Sequence, residues 1–381
     1  MAKFKLPPIS PLLGSTFATY FKTLSYGRIT PRHYLKMVLT FLIILVATPF
    51  RWYEDLYYYF FVRYGQKTKD PVFIIGHWRS GTTYLHQVLG EDQQMGYVTT
   101  YQTVFPHFLY SKFLFLPLME SQMPEKRPGD NVRLIAKNPQ EDEFALSNIN
   151  PYTYYQFMYF PEQYQSFYDR FIRFKDTPHV LKRWKADYRK MIRKACHNTN
   201  GNIPVLKNPC NTGRIKILLE MYPNAKFVHI IRNPIVVFLS SRKFFVELLP
   251  TLWFHPVDER FIEDMILDVY EWMVRDLLEL KKLIPEGNYV EVRFEEFEED
   301  SMHHLERLYE QLGIPNFEEA RPEFEKYVKK MSGYRKNKYE VIEEEIIEKI
   351  YDRWGFAMDL WDYEIPGFLE IRKKEAVPEK Q

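Results

Sequence analysis

Hydrophobic positions along this chain alternate between two periods. Residues 71–76, PVFIIG, form a short β-rich apolar run that enters a glycine, and residues 82–89 continue with Tyr84, Leu85 and Val88 on one side of a helix. The pattern then returns. Residues 203–206 predict a strand, 212–221 a helix with Ile215, Leu218 and Leu219 on one face, and 226–231, KFVHII, a strong strand. Arg232-Asn233-Pro234 breaks that strand, and 235–245 predict the helix that follows. Further helices are predicted over 261–283, 301–312 and 340–354, with a strand over 289–294. Residues 139–148, PQEDEFALSN, read as a helix start with proline early and acids in the first turn. Residues 179–197 read as a basic amphipathic helix, whereas 101–130, rich in Phe, Pro and Tyr, show no clean period. Strands alternating with helices argue for a parallel sheet covered on both faces, joined by right-handed crossovers.

One apolar run stands apart. Residues 37–50, MVLTFLIILVATPF, lie between Lys36 and Arg51 and contain Pro49. A bilayer crossing needs about 20 apolar residues, so the run predicts a buried helix or pocket wall, or an interfacial helix. The stretch that follows, 52–64, is aromatic and amphipathic, and aromatic side chains favour membrane interfaces. Peripheral membrane contact through residues 37–64 is therefore an expectation, alongside a cytoplasmic location. The N-terminus carries two prolines where a signal peptide has its apolar core, and no Asn-x-Ser/Thr sequon occurs.

Composition narrows the function classes. The 52 basic and 50 acidic residues leave a net charge of +2, which argues against a nucleic-acid partner. Local runs such as 182–194 and 295–300 offset one another as solvated helix faces. Only two cysteines are present, Cys196 and Cys210, too few for a disulfide framework or a cysteine-ligated zinc site. Aromatics reach 17%, enough to supply both a bulky core and an apolar ligand pocket.

The chemistry is concentrated at 76-GHWRSGTT-83. Gly76 and Gly81 have the spacing of a phosphate-binding loop between strand and helix, with Ser80, Thr82 and Thr83 adding hydroxyls. A helix N-terminus behind a glycine turn offers backbone N–H groups to an anion. A nucleoside triphosphatase would have Lys where Thr82 stands, and an Asp ending another strand to hold Mg²⁺. Here Arg79 lies inside the loop and the strand 226–231 ends in Arg232. A P-loop kinase-like phosphotransferase is thus the weaker alternative, and a metal-free nucleotide with a compact anionic 5′ group is expected. The fold class follows: α/β, with a P-loop-like central parallel sheet flanked by helices and helical N- and C-terminal additions. One domain over 1–381 is expected, with 1–69 a helical aromatic extension, 70–355 the α/β core and 356–381 a tail.

These residues resemble a family. The stretch 76-GHWRSGTTYL-85 is similar to the 5′-phosphosulfate loop of sulfotransferases that use 3′-phosphoadenosine 5′-phosphosulfate (PAPS). The stretch 227-FVHIIRNPIVVFLSSRKFF-245 resembles that family's 3′-phosphate motif, in which an Arg ends a strand and a Ser follows eight residues later, as Arg232 and Ser240 do. Ser241 is the neighbouring alternative. The segments 206–227 and 289–314 resemble the Lys-x-Pro segment and the elements that help enclose adenosine, and 127–146 is similar to a bacterial branch of the superfamily. The likeness runs from about Pro71 to Gly355. It implies a PAPS-dependent sulfotransferase that releases 3′,5′-bisphosphoadenosine and needs no metal. Arg79 is then the first candidate, and Lys207 the second, for the cation that meets charge on the bridging oxygen of the 5′-phosphate. Ser80, Gly81, Thr82 and Thr83 would bind the 5′ end, Arg232 and Ser240 the 3′-phosphate, and Arg335 and Lys336 would close over it.

An alcohol acceptor also needs a base. In the animal cytosolic enzymes a His stands two residues after the motif lysine, where this chain has Pro209. The candidates are Glu141 and Glu143 first, within an acidic run in which neighbours raise one another's pKa, then Asp142, and His107 in the aromatic-rich segment. The Phe, Tyr and Leu residues of 37–61 and 97–118 are expected to wall a hydrophobic acceptor site. That favours a small lipophilic alcohol or phenol, a sterol or a lipid, over a carbohydrate.

Overall fold

Five parallel strands carry the fold: β1 (Val72–Ile75), β2 (Met95–Gly96), β3 (Ile203–Lys207), β4 (Lys226–Ile231) and β5 (Tyr289–Arg293). Their order across the sheet is β2-β3-β1-β4-β5, which puts β1 at the centre. The computed structural model describes residues 10–65, 67–124, 133–333, 337 and 339–373. Alternation along the strands separates two cores, as a period of two demands. Phe73, Ile75, Leu206 and Phe227 enter one cluster; Val72, Ile74, Val205, Val228 and Ile230 enter the other. Both faces are covered, so the central strands read as unbroken apolar runs.

The helices Pro178–Thr199, Pro234–Leu252 and Glu259–Leu280 contribute to the first cluster, and Thr82–Leu89 and Ser301–Leu312 to the second. These match the sequence expectations with shifts at their ends. The helix after β4 runs beyond residue 245, through Pro250. The last long helix is Glu344–Leu360 and not 340–354, because Val341–Glu343 pairs as a strand with Glu370–Arg372. A helix at Phe317–Met331, absent from the sequence expectations, packs Ala320 and Phe324 into the second cluster.

The apolar N-terminal run departs further from expectation. It is part of a 24-residue helix, Tyr34–Tyr57, that continues through Pro49 into a π turn at Tyr58–Val62. By length and composition it could cross a membrane, and only 22% of its most apolar stretch is buried. The buried side chains Lys36, Met37, Thr40, Ile44, Ala47 and Glu54 form one stripe, so the helix is buried along one side only. The other side carries exposed Leu35, Leu42, Leu45, Val46, Trp52 and Leu56.

Part of the segment set aside as a tail is knitted to the sheet. The Trp361 indole donates to Glu291 at 3.2 Å, the Tyr363 hydroxyl to Glu295 at 2.8 Å, and the Asn233 amide to the Glu364 carbonyl at 2.8 Å.

Candidate active site

The segments that follow β1, β3 and β4 leave the carboxyl edge of the sheet side by side, the edge where open α/β sheets bind ligands. The loop after β1 has three left-handed residues: Gly76 at φ 127°, Arg79 at 70° and Gly81 at 97°. Gly81 is needed for space as well, since a Cβ there would lie 2.0 Å from the Phe294 ring. The Gly76 N–H is fixed by the buried hydroxyl of Thr212 at 2.9 Å. Gly81, Thr82 and Thr83 line a cavity of about 520 Å³, whereas Ser80 is buried behind it.

Arg232 follows β4 and is partly buried. It donates to the Arg79 carbonyl at 3.0 Å and its guanidinium lies 4.7 Å from the centre of the Phe294 ring. Asn233 caps the following helix by accepting from the Ile235 and Val236 N–H groups. That cap sets the helix rotation, and Ser240 faces back into the cavity while Ser241 is buried with no partner for its hydroxyl. Arg79 Nε donates to Ser240 Oγ at 2.9 Å, and its guanidinium stands over Phe244 at 5.3 Å. Arg79 therefore lies at the Arg232–Ser240 end of the cavity. The cation beside the start of the loop helix is Lys207, whose Nζ is 3.4 Å from Thr83 Oγ1.

Lys207 ends β3 and is buried, and it forms an ion pair with Glu141. The other Glu141 oxygen accepts from the Tyr155 hydroxyl, which itself accepts from the Trp78 indole at 2.9 Å. Glu141 precedes the helix Asp142–Ile149 and lines the cavity. Sequence reasoning missed Tyr155, Trp78 and Phe294, which lie in separate segments and acquire their roles only by folding.

The two acids next to Glu141 behave differently. Glu143 is fully buried in a two-pronged pair with Arg214, at 2.7 and 2.8 Å, and also accepts from the Tyr154 N–H and the Asn208 amide. The Arg214 guanidinium sits 4.8 Å from the Trp184 ring centre and donates to the Phe171 carbonyl. Both carboxylate oxygens of Glu143 are engaged away from the cavity, so this candidate base holds the fold together instead. Removing one charge from a buried pair strands the other, so Glu143→Gln should cost about 3–5 kcal/mol of stability by urea titration.

Asp142 is also buried, and burial pushes its carboxyl up to about 7, with Glu143 adding to the rise and Tyr188's hydroxyl opposing it. Above the ordinary carboxylate range and below that value, the folded chain holds a proton that the unfolded chain has released. Its contribution to stability accordingly falls as pH rises through the window. The Asp142→Asn variant should show a weaker loss of urea midpoint than wild type between about pH 5 and 7.

His107 is not at this site. It lines a separate cavity of about 200 Å³ beside Lys194 and Arg51, and burial lowers its pKa to about 3, which leaves it neutral. No residue of 37–61 or 97–118 lines the larger cavity, so these segments do not form its walls as expected. Its apolar wall comes from Trp78, Phe244, Phe294, Val328, Met331 and Tyr339. The 317–331 segment repeats apolar residues at Phe317, Ala320, Phe324, Val328 and Met331, a helical signal that Pro322 interrupts. Arg335 and Lys336 lie outside the described residues, although Asn337 and Tyr339 beside them line the cavity.

A model of the sulfotransferase family matches residues 71–319, well over half of the chain. The chain belongs to the sulfotransferase family. It is 32% identical over 302 residues to the omega-hydroxy-beta-dihydromenaquinone-9 sulfotransferase Stf3 of Mycobacterium bovis and of Mycobacterium tuberculosis, covering 77% of this chain and 75% of each relative. Among solved structures it resembles sulfotransferase STF9 from Mycobacterium avium, with a TM-score of 0.64 at 15% identity over 91% of this chain and 90% of that one. It also resembles STF1 from Mycobacterium tuberculosis, with a TM-score of 0.60 at 16% identity over 83% and 86%. At those identities the likeness establishes the fold alone, a P-loop-like α/β sheet.

This sulfotransferase is an enzyme that uses PAPS. The cavity suits such a donor: its volume is that of a small-molecule site, and strained loop, Arg232 and Ser240 open into one space. When bound, PAPS supplies an activated sulfuryl group on a 5′-phosphate.

Proposed function

We propose that this enzyme sulfates the hydroxyl of a lipophilic acceptor, of the hydroxylated isoprenoid-quinone kind that the Stf3 relatives are named for. The observation that carries the reading is Glu141: a cavity-lining carboxylate held between Lys207 and Tyr155, next to the first turn of the loop helix. Glu141 is the base. It takes the acceptor's proton as the acceptor oxygen bonds to sulfur and the bond from sulfur to the 5′-phosphate oxygen breaks, its electron pair remaining on that phosphate. Lys207 meets the charge that grows on the departing oxygen, a role in which a fixed cation in a dry site is worth most. The loop N–H groups with Thr82 and Thr83 hold the 5′ end. Arg232, Ser240 and Arg79 hold the 3′-phosphate, which suits the two-pronged guanidinium. No metal enters this scheme, because the end of β4 presents Arg232 where a magnesium-binding carboxylate would stand.

The test is transfer of labelled sulfate from PAPS, without added metal, to a hydroxylated menaquinone-type lipid, a sterol and a soluble glycan. Labelling of a lipophilic alcohol supports the reading. Labelling of the glycan alone replaces it with a carbohydrate sulfotransferase. Calorimetry with 3′,5′-bisphosphoadenosine against ATP–Mg²⁺ reports on the donor site by itself.

A further inference from the structure

We propose that the outer face of the Tyr34–Val62 helix, with Phe113 and Leu118 beside it, docks on an anionic lipid bilayer, the helix lying in the plane of the membrane. The acceptor chemistry proposed above makes such a surface useful, but the argument rests on the face itself. Val46 is 74% exposed, Trp52 64%, Phe61 63% and Phe113 80%. The helix Lys112–Gln122 that bears Phe113 is tied to the long helix by the edge-on contact of Phe115 with Phe50, ring centres 5.4 Å apart, so the two exposed sets adjoin. A soluble protein rarely leaves so much contiguous apolar surface uncovered.

The helix is fastened along its whole inner side. Near its start Lys36 Nζ donates to the Thr251 carbonyl at 3.2 Å, and the Met37 carbonyl accepts from the Tyr20 hydroxyl at 2.8 Å. Near its end Glu54 forms a buried ion pair with Lys194 and accepts from the Tyr110 N–H at 2.9 Å. Lys36 and Glu54 are eighteen residues apart, roughly 27 Å along a helix, close to the full thickness of a hydrocarbon layer. A crossing helix would have to release both attachments and carry Glu54 and Lys36 into lipid. A helix held flat exposes only its apolar side, as an interfacial helix does.

Charge selects the kind of surface. Exposed Arg28 and Arg32 precede the apolar stretch, and exposed Arg63, Lys67 and Lys69 follow it. Of the two acids within the helix, Glu54 is buried and Asp55 is paired with Lys190 at 2.8 Å. Arg63 lies over the Tyr59 and Tyr64 rings, at 5.5 and 5.2 Å, so aromatic and basic groups share this edge. Basic residues around an apolar helix face match anionic headgroups. A second copy fits less well: with cations at both ends of the face, twofold pairing in either direction sets like charges together. The docked face is also coupled to the donor site through one element, the Pro234–Leu252 helix, which carries Ser240 and Phe244 in the cavity and Thr251 against Lys36.

The experiment is flotation of the full chain with vesicles of phosphatidylcholine alone or mixed equally with phosphatidylglycerol. Wild type and the double variant Leu42→Glu/Val46→Glu are compared, both changes being on exposed positions. Wild type should float with the anionic vesicles, less with the neutral ones, and less as salt rises; the variant should bind at least about tenfold more weakly. Unchanged calorimetric binding of 3′,5′-bisphosphoadenosine by the variant confirms that it is folded, and failure of that binding in wild type would fault the donor-site assignment and not this one. Equal flotation of variant and wild type overturns the proposal. So does concentration-dependent dimerisation without vesicle binding, which assigns the face to a second copy. Retention in the membrane after alkaline carbonate extraction overturns the in-plane arrangement in favour of a span.

Discussion

Glu141→Gln should lower kcat by about a hundred- to ten-thousandfold, the range that removal of a positioned general base produces. The affinity for 3′,5′-bisphosphoadenosine should not fall, because the change leaves Arg232 and Ser240 untouched and removes a negative charge from beside Lys207, near the 5′-phosphate. Glutamine keeps the shape and still accepts from Tyr155, so the variant tests proton transfer without emptying the site. It also leaves Lys207 buried without its counter-charge, which favours a lower lysine pKa. A pH–rate profile separates the two effects: loss of the base removes the rising limb, whereas a perturbed lysine adds a falling one. An unchanged kcat would move the base elsewhere, and would leave Glu141 as a carboxylate that merely neutralises Lys207.

Arg232→Ala should weaken 3′,5′-bisphosphoadenosine binding by about 2–5 kcal/mol, at least about thirtyfold in Kd, the usual result of truncating one side of a buried charge-assisted contact. The guanidinium is locked before any ligand arrives, by the Arg79 carbonyl and the Phe294 ring, so little ordering is left for binding to accomplish. Arg232→Lys tests geometry separately. It keeps the charge but loses the planar fork and the stack, and should recover only part of the affinity. Adenosine 5′-monophosphate, which lacks the 3′-phosphate, should bind wild type and Arg232→Ala almost equally. A similar loss for both ligands would place Arg232 at the 5′ end.

What the sequence revealed depended on how local each signal was. The glycine loop, the Arg232-Asn233-Pro234 break and the Ser240 spacing are written within a few residues, and each lies in the structure where the local pattern puts it. The acidic run at 141–143 could not be resolved in the same way. Three neighbouring acids look alike until Arg214, 71 residues from Glu143, captures one of them and Lys207, 66 residues from Glu141, another. His107 stands among aromatic neighbours in the sequence, but proximity to aromatic residues along the chain says nothing about which cavity a ring enters. The apolar run at 37–50 reads shorter than the helix it belongs to for a different reason: the flanking turns carry charged and aromatic residues, and Pro49, facing solvent, is carried inside a helix whose neighbouring turns are packed. The helix is then twice as useful as its apolar core suggests, with one side for the protein and one left open.

The bond from Asn233 to the Glu364 carbonyl spans 131 residues. On the ribosome, β1, β3, β4 and the helix bearing Ser240 are all made long before that acceptor emerges. Until then the turn that aims Arg232 keeps its own cap but lacks its outer fastening. The far end of the chain thus steadies a turn made 131 residues earlier, and loss of residues beyond 360 removes that fastening while leaving the cap in place.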